Sequence, residues 1–189
     1  GGNFSSNLSV EIKYGNLEIG NAKEGSFDIG YGGNIKIKNA DKLNIDSKYS
    51  NLTLGKINTI NLEKKYGNLD IEELGKGYIE IKYSEAKIGY LKEELIVEEL
   101  DYSTLNIGEL AQNFNGLKVN ARYGNLNINI SAKAAFTVEA EGLKYGSHSI
   151  NGFNVTKSSI ENKEYYNTEI NNGNKRKIYF NGNRYSNIK

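Results

Sequence analysis

The sequence predicts an all-β fold: a single-domain, right-handed parallel β-helix of about eight to nine coils of 17–22 residues. Three observations predict it. A Tyr-Gly or Tyr-Ser phrase recurs at Tyr14, Tyr31, Tyr49, Tyr66, Tyr83, Tyr102, Tyr123, Tyr145 and Tyr185, and the first eight are spaced by 17, 18, 17, 17, 19, 21 and 22 residues. Apolar residues alternate with polar ones on both sides of the phrase, the period of strands rather than helices. The 189 residues contain no proline, a residue that cannot donate to a β ladder.

The phrase has a longer body. Lys13-Tyr14-Gly15-Asn16-Leu17-Glu18-Ile19-Gly20 returns as Lys48-Tyr49-Ser50-Asn51-Leu52-Thr53-Leu54-Gly55, then as Lys65-Tyr66-Gly67-Asn68-Leu69-Asp70-Ile71 and Arg122-Tyr123-Gly124-Asn125-Leu126-Asn127-Ile128. Apolar pairs follow the corners (Leu17/Ile19, Ile35/Ile37, Leu52/Leu54, Leu69/Ile71, Leu105/Ile107, Leu126/Ile128) and others precede them (Val10/Ile12, Phe27/Ile29, Ile79/Ile81, Val119/Ala121). A unit this short owns no core and must stack on its neighbours. At about 4.8 Å per coil the stack is a rod on the order of 40 Å long. Leu91, Leu95 and Leu100 would also suit a helix face, but the repeats continue through Tyr90–Tyr102, so the segment reads as strand. Regular coils span about 8–146 of the single domain 1–189. An irregular C-terminal coil or cap spans about 147–189 and returns to the ladder at Lys177–Phe180 and Arg184–Ile188.

Stacking turns each repeat position into a column. The residue after Tyr is always Gly or Ser, which fits a tight corner with positive φ. The next is Asn at 16, 51, 68, 125 and 187, whose amides can bond from coil to coil. By alternation with the preceding strand the Tyr rings point inward or half-inward, stacked on one another. An exposed aromatic stripe for sugar stacking is the alternative. The outward parity carries charge. Glu11, Asp28, Asp46, Glu63, Glu80 and Glu99 form an acidic column; Lys13, Lys48, Lys65, Lys82, Arg122 and Lys144 form a basic one beside it. Like charges about 4.8 Å apart repel by roughly 1 kcal/mol even in water, and the opposite stripe offsets this. Residues 143–189 hold eight Lys/Arg against three Asp/Glu, and residues 1–142 hold sixteen against twenty, so the rod is acidic at its start and basic at its end. Lys175-Arg176-Lys177 is the densest basic cluster, suited to an anionic surface or the acidic end of another rod.

Composition closes much of the catalytic menu. Formal charge is +1, so no whole-chain field points to nucleic acid, and no apolar run approaches the roughly 18 residues of a membrane span. Zero cysteines exclude disulfides and thiolate sites, and one histidine, His148, excludes histidine-rich metal sites. His148 sits at an apolar repeat position and reads as structural. The adjacent pairs Glu72-Glu73, Glu93-Glu94 and Glu98-Glu99 read as facing opposite sides of a strand, and no carboxylate pair stands out as a glycosidase couple. The expectation is a non-enzyme without cofactor or metal. With no methionine at position 1, the Gly-Gly start reads as a processed end or a cloning scar.

The runs Lys48–Gly55 and Lys65–Ile71, with the closing Lys177-Ile178-Tyr179-Phe180 and Arg184-Tyr185-Ser186-Asn187-Ile188, resemble a bacterial family of β-strand-repeat surface proteins. That family is labelled adhesin on architecture more than on a known ligand, and is otherwise of unknown function. The resemblance implies a parallel β-helix, export to the periplasm, outer-membrane surface or extracellular space, and no cofactor. It supplies no site residues. The combined expectation is a cell-surface adhesin that recognises a glycan or host or bacterial surface polymer through its outer face. Lys48, Lys65, Lys82, Arg122 and Lys144 are the candidate cationic row for anionic groups. The alternatives are an envelope scaffold that assembles end to end and a polysaccharide-cleaving β-helix.

Overall fold

The computed structural model describes residues 3–129, 135–142, 156–160, 163–170, 176–183 and 185–189; Lys144, Tyr145, His148 and Lys175 lie outside them. Two long runs of extended chain, β1 (Asn3–Lys48) and β2 (Asn51–Asp101), curl and lie side by side in parallel. The register runs from Asn34↔Asn51 to Lys48↔Lys65, an offset of 17 residues that matches the repeat read from the tyrosines. Shorter strands continue it: β3 (Thr104–Leu110), β4 (Gly116–Arg122) and β5 (Asn125–Ile128). Pairing widens to Glu85↔Thr104 and then Thr104↔Asn125, as the tyrosine spacing does, with a register shift between Val97 and Leu100. The fold is all-β, a curled and mostly parallel sheet, with no helix among the described residues. No helix long and apolar enough to cross a membrane occurs among them. The Leu91–Leu100 segment is strand, and Leu91, Leu95, Val97 and Leu100 are fully buried.

Side-chain period explains the curl. In one repeat Ser50, Leu52, Leu54, Ile57, Ile60, Leu62 and Lys64 are buried, while the residues between them face out. Inward positions come two apart along straight stretches and three apart at bends, where two consecutive residues point outward. Backbones approach closely there. A Cβ on Gly55 would lie 2.1 Å from the Lys38 carbonyl oxygen of the previous repeat.

The C-terminal part departs from sequential order. Strands β9 (Lys177–Asn183) and β10 (Asn187–Ile188) return to the ladder as expected and stack directly on β4 and β5, at Gly116↔Lys177 and Asn125↔Asn187. Strand β6 (Phe136–Glu141) lies on the far side of β9. Antiparallel pairing of β6 with β8 (Lys163–Ile170), and of β8 with β7 (Thr156–Ile160), completes the sheet. The late strand β9 is therefore inserted between the earlier β4 and β6, while β10 lies at the end of the strand order beside β5. Phe180 and Ile178 supply the reason: both are fully buried between the Leu117/Val119 and Val138/Ala140 layers.

Among the described residues one inward position is charged. Lys64 pairs with Ser47 across the sheet, is fully buried, and donates to the Tyr66 carbonyl at 2.6 Å and the Lys65 carbonyl at 3.4 Å. Burial lowers its pKa from 10.5 to about 8. Because the folded value lies below the unfolded one, the penalty is full below pH 8, where both states are protonated. It fades as pH rises towards 10.5, where the unfolded chain holds more protons. The shift corresponds to about 3 kcal/mol. Replacement Lys64→Met is expected to stabilise the protein at pH 7 by about 1–3 kcal/mol. Urea unfolding from pH 7 to 10.5 should show stability of the native chain gaining on that of the variant; a constant difference would place the ammonium in water.

Candidate functional site: the tyrosine face

The corner geometry reverses one expectation. Positive φ falls on tyrosine itself at Tyr49, Tyr66, Tyr83, Tyr102, Tyr123 and Tyr185, at 47–56°; of the small residues that follow the tyrosines, Gly15 and Gly67 have the expected positive φ, at 116° and 104°, and the serines do not. A left-handed residue breaks the strand's alternation, so Lys and Tyr both point outward and the next residue turns in. Ser50, Ser103 and Ser186 are accordingly buried, and Tyr14, Tyr31, Tyr49, Tyr66, Tyr83, Tyr102 and Tyr185 are 38–77% exposed. The inward-ring reading is thereby corrected. A signal for it stood in the sequence: Ile12 and Leu17, the apolar residues flanking the corner, are five apart, an odd step that strict alternation cannot accommodate. The buried hydroxyls satisfy the corner: Ser103 Oγ donates to the Asp101 carbonyl at 2.7 Å and accepts from Ser84 N–H at 3.1 Å, and Ser186 Oγ accepts from Gly124 N–H at 3.2 Å.

The rings form one ladder. Tyr14, Tyr31, Tyr49, Tyr66, Tyr83, Tyr102, Tyr123 and Tyr185 stack in that order, with centroids 4.6–5.9 Å apart and planes within 5–17°. Tyr185 follows Tyr123 because β10 follows β5 in space. Stacking covers the ring faces and leaves edges and hydroxyls outward, so sugar stacking on interior faces is blocked.

A polar ladder runs beside the rings. Asn34 N–H donates to Asn16 Oδ1 at 2.8 Å, Asn68 N–H to Asn51 Oδ1 at 3.0 Å, and Asn187 Nδ2 to Asn125 Oδ1 at 2.6 Å. Between the two ladders lies a shallow groove of about 460 Å³, bordered by Tyr83, Tyr102 and Tyr123 on one side and Asn68, Thr104 and Asn125 on the other.

The cationic row is present but paired. Lys13 lies 3.8 Å from Glu11, Lys48 lies 3.3 Å from Asp46, and Lys65 pairs closely with Glu63. Lys82 meets Glu80 at 3.8 Å and, closer, Glu99; Arg122 pairs with Asp101 of the adjacent strand. The hydrogen bonds to Asp46, Glu99 and Asp101 raise the pKa of Lys48, Lys82 and Arg122 respectively, and the bond from Lys65 lowers that of Glu63. Apart from Arg122–Asp101, whose carboxylate is buried, these are exposed or half-buried pairs of small individual worth. The structure thus brings Lys48, Lys65, Lys82 and Arg122 beside the tyrosines, while Lys144 lies outside the described residues. In the basic cluster, Arg176 donates to the Gln112 carbonyl and Lys177 pairs with Glu139 at 2.6 Å. The three adjacent Glu pairs do not split between interior and surface: none of the six side chains is buried. Each pair sits at a bend, and Glu73, Glu93 and Glu98 reach Lys92, Lys76 and Lys118 at 3.3, 3.4 and 3.7 Å.

No family model, curated protein or solved structure matches the chain.

Stacked pairs contribute about 0.5–1.5 kcal/mol each. Tyr66→Ala removes two pairs and is expected to lose about 1–3 kcal/mol of stability, whereas Tyr14→Ala removes one and loses less than about 1.5. Equal losses on urea unfolding would show that stacking does not hold the corners.

Proposed function

We propose that the chain is a closed parallel β-helix and an exported, non-enzymatic bacterial surface protein. It recognises a glycan or other surface polymer along its tyrosine–asparagine face. The observation that carries this reading is the unbroken ladder of eight outward tyrosines beside a parallel row of amides and hydroxyls. Closure is supported by the 17-residue register and by buried positions distributed around the whole repeat. Export and surface location rest on the resemblance to adhesin-labelled repeat proteins.

The face suits a polymer rich in hydroxyl groups and lying along the stack. Phenolic hydroxyls, Asn amides and Thr104 offer donors and acceptors at a coil spacing of about 4.8 Å. The groove between them is shallow and open to solvent, as binding of a long chain along the surface requires. The lysines, already held by carboxylates, position charge at the border rather than forming a free cationic row. Long flat surfaces of this kind gain affinity from many weak contacts in register.

The test is binding to an array of host and bacterial glycans and matrix proteins at several salt concentrations. Binding by this face is expected to fall at least tenfold in Tyr83→Ala/Tyr102→Ala and to change little with salt. Binding that weakens with salt and with Lys→Glu at 48, 65 and 82 would move recognition to the cationic row. A blank array with a folded protein would overturn the reading.

A scaffold reading is favoured by one observation: the inward residues Leu8, Val10, Ile12 and Leu17 are only partly buried against the core. A further layer packed there, from a second copy, predicts a mass that rises with concentration in sedimentation, and Val10→Lys should abolish the rise.

A further inference from the structure

The ladder places phenols where neighbouring rings can react with each other. Seven successive contacts have centroids 4.6–5.9 Å apart, and the rings are nearly parallel. Tyr49, Tyr66, Tyr83, Tyr102, Tyr123 and Tyr185 leave the backbone at corners with the same positive φ, so their rings project in the same sense. Stacking in this sense brings the ring edges that carry the ortho carbons of neighbouring phenols close together, on side chains that are substantially open to solvent. We propose that the ladder is a site of oxidative modification, at which a haem-peroxidase-type oxidant with hydrogen peroxide joins neighbouring tyrosines as dityrosine and staples successive repeats together.

The step balances. Each of two phenols gives one electron to the oxidant and loses its hydroxyl proton, and the two phenoxyl radicals couple through a bond between ortho carbons. The hydrogen on each of those carbons then moves, as a proton, to the adjacent oxygen and restores the aromatic ring. Two tyrosines and one peroxide give one dityrosine and two waters. Two features favour coupling within the molecule. Neighbouring radicals are held at contact distance, which converts an encounter into an effectively unimolecular step. The ladder also supplies six interior rings, each with a partner on both sides, so a radical formed on any of them already has a neighbour in place. Tyr78, 46% exposed but outside the ladder, is a built-in control.

The experiment treats the dilute, folded protein with a haem peroxidase and limiting hydrogen peroxide, followed by tryptic mass mapping. The expected product runs as a monomer on a denaturing gel, shows dityrosine fluorescence, and is lighter by two hydrogens per link. Cleavage after lysine leaves Tyr49 and Tyr66 at the start of peptides 49–56 and 66–76, which should appear joined. In Tyr66→Phe, which keeps the stacked ring, the links of position 66 to 49 and 83 should vanish while those joining Tyr102 to Tyr123 persist. Oxidation in concentrated urea should scatter links among all tyrosines. Links found only between molecules, or as frequent to Tyr78 as between ladder neighbours, would overturn the proposal. So would a folded protein whose tyrosines are oxidised without forming dityrosine.

Discussion

Six tyrosines hold a backbone angle that L-residues avoid, and the outer face of the molecule follows from that choice. A left-handed residue costs roughly 1–2 kcal/mol, a penalty usually met by glycine or asparagine. Here the same corner recurs in six repeats, so one solution to the strain is repeated. Turning the tyrosine out brings the following serine or glycine in, where a small residue fits and a hydroxyl can serve the corner's own backbone. It also aligns each ring with the next. Stacking, at about 0.5–1.5 kcal/mol per pair, offsets much of the backbone penalty. No single corner would be stable alone; each relies on the ring above and the ring below.

The charged columns behave as an insulating border to this ladder. Asp46, Glu63 and Glu80 each stand two residues before a lysine on the same strand, and every one of those lysines reaches its carboxylate. Where the basic column carries Asp101 instead, Arg122 on the neighbouring strand answers it. Along these strands a neighbouring cation therefore relieves the repulsion between stacked carboxylates. The face keeps its hydration and its solubility while presenting little net field.

Much of this was legible in the residues, and the failures have particular causes. The 17-residue period, the inward Leu/Ile columns, the strand character of Leu91–Leu100 and the acid-x-Lys pairs all follow from side-chain alternation, a local property. The direction of the tyrosines was missed because alternation was carried through the corner, although the five-residue step from Ile12 to Leu17 contradicts it. Lys64 was missed because residue type was allowed to override position: the column two before tyrosine is inward, and a lysine occupies it once. The insertion of β9 and β10 beside β4 and β5 depends on which distant copy of the motif wins a place in the stack. Spacing along the chain does not encode such a competition.

That insertion bears on how the chain reaches its final form. Repeats up to Ile128 can assemble by adding each repeat to the one before, closing loops of about twenty residues at a time. The next position belongs to residues 177–188, some sixty residues further along, and β6, which can pair with β8 alone, joins the parallel stack only when they arrive. Assembly therefore changes from zipping to a long-range search at a defined point. Kinetically the molecule has two parts: an early curled sheet that grows from local contacts, and a late, slower docking of distant strands whose rate is set by chain topology.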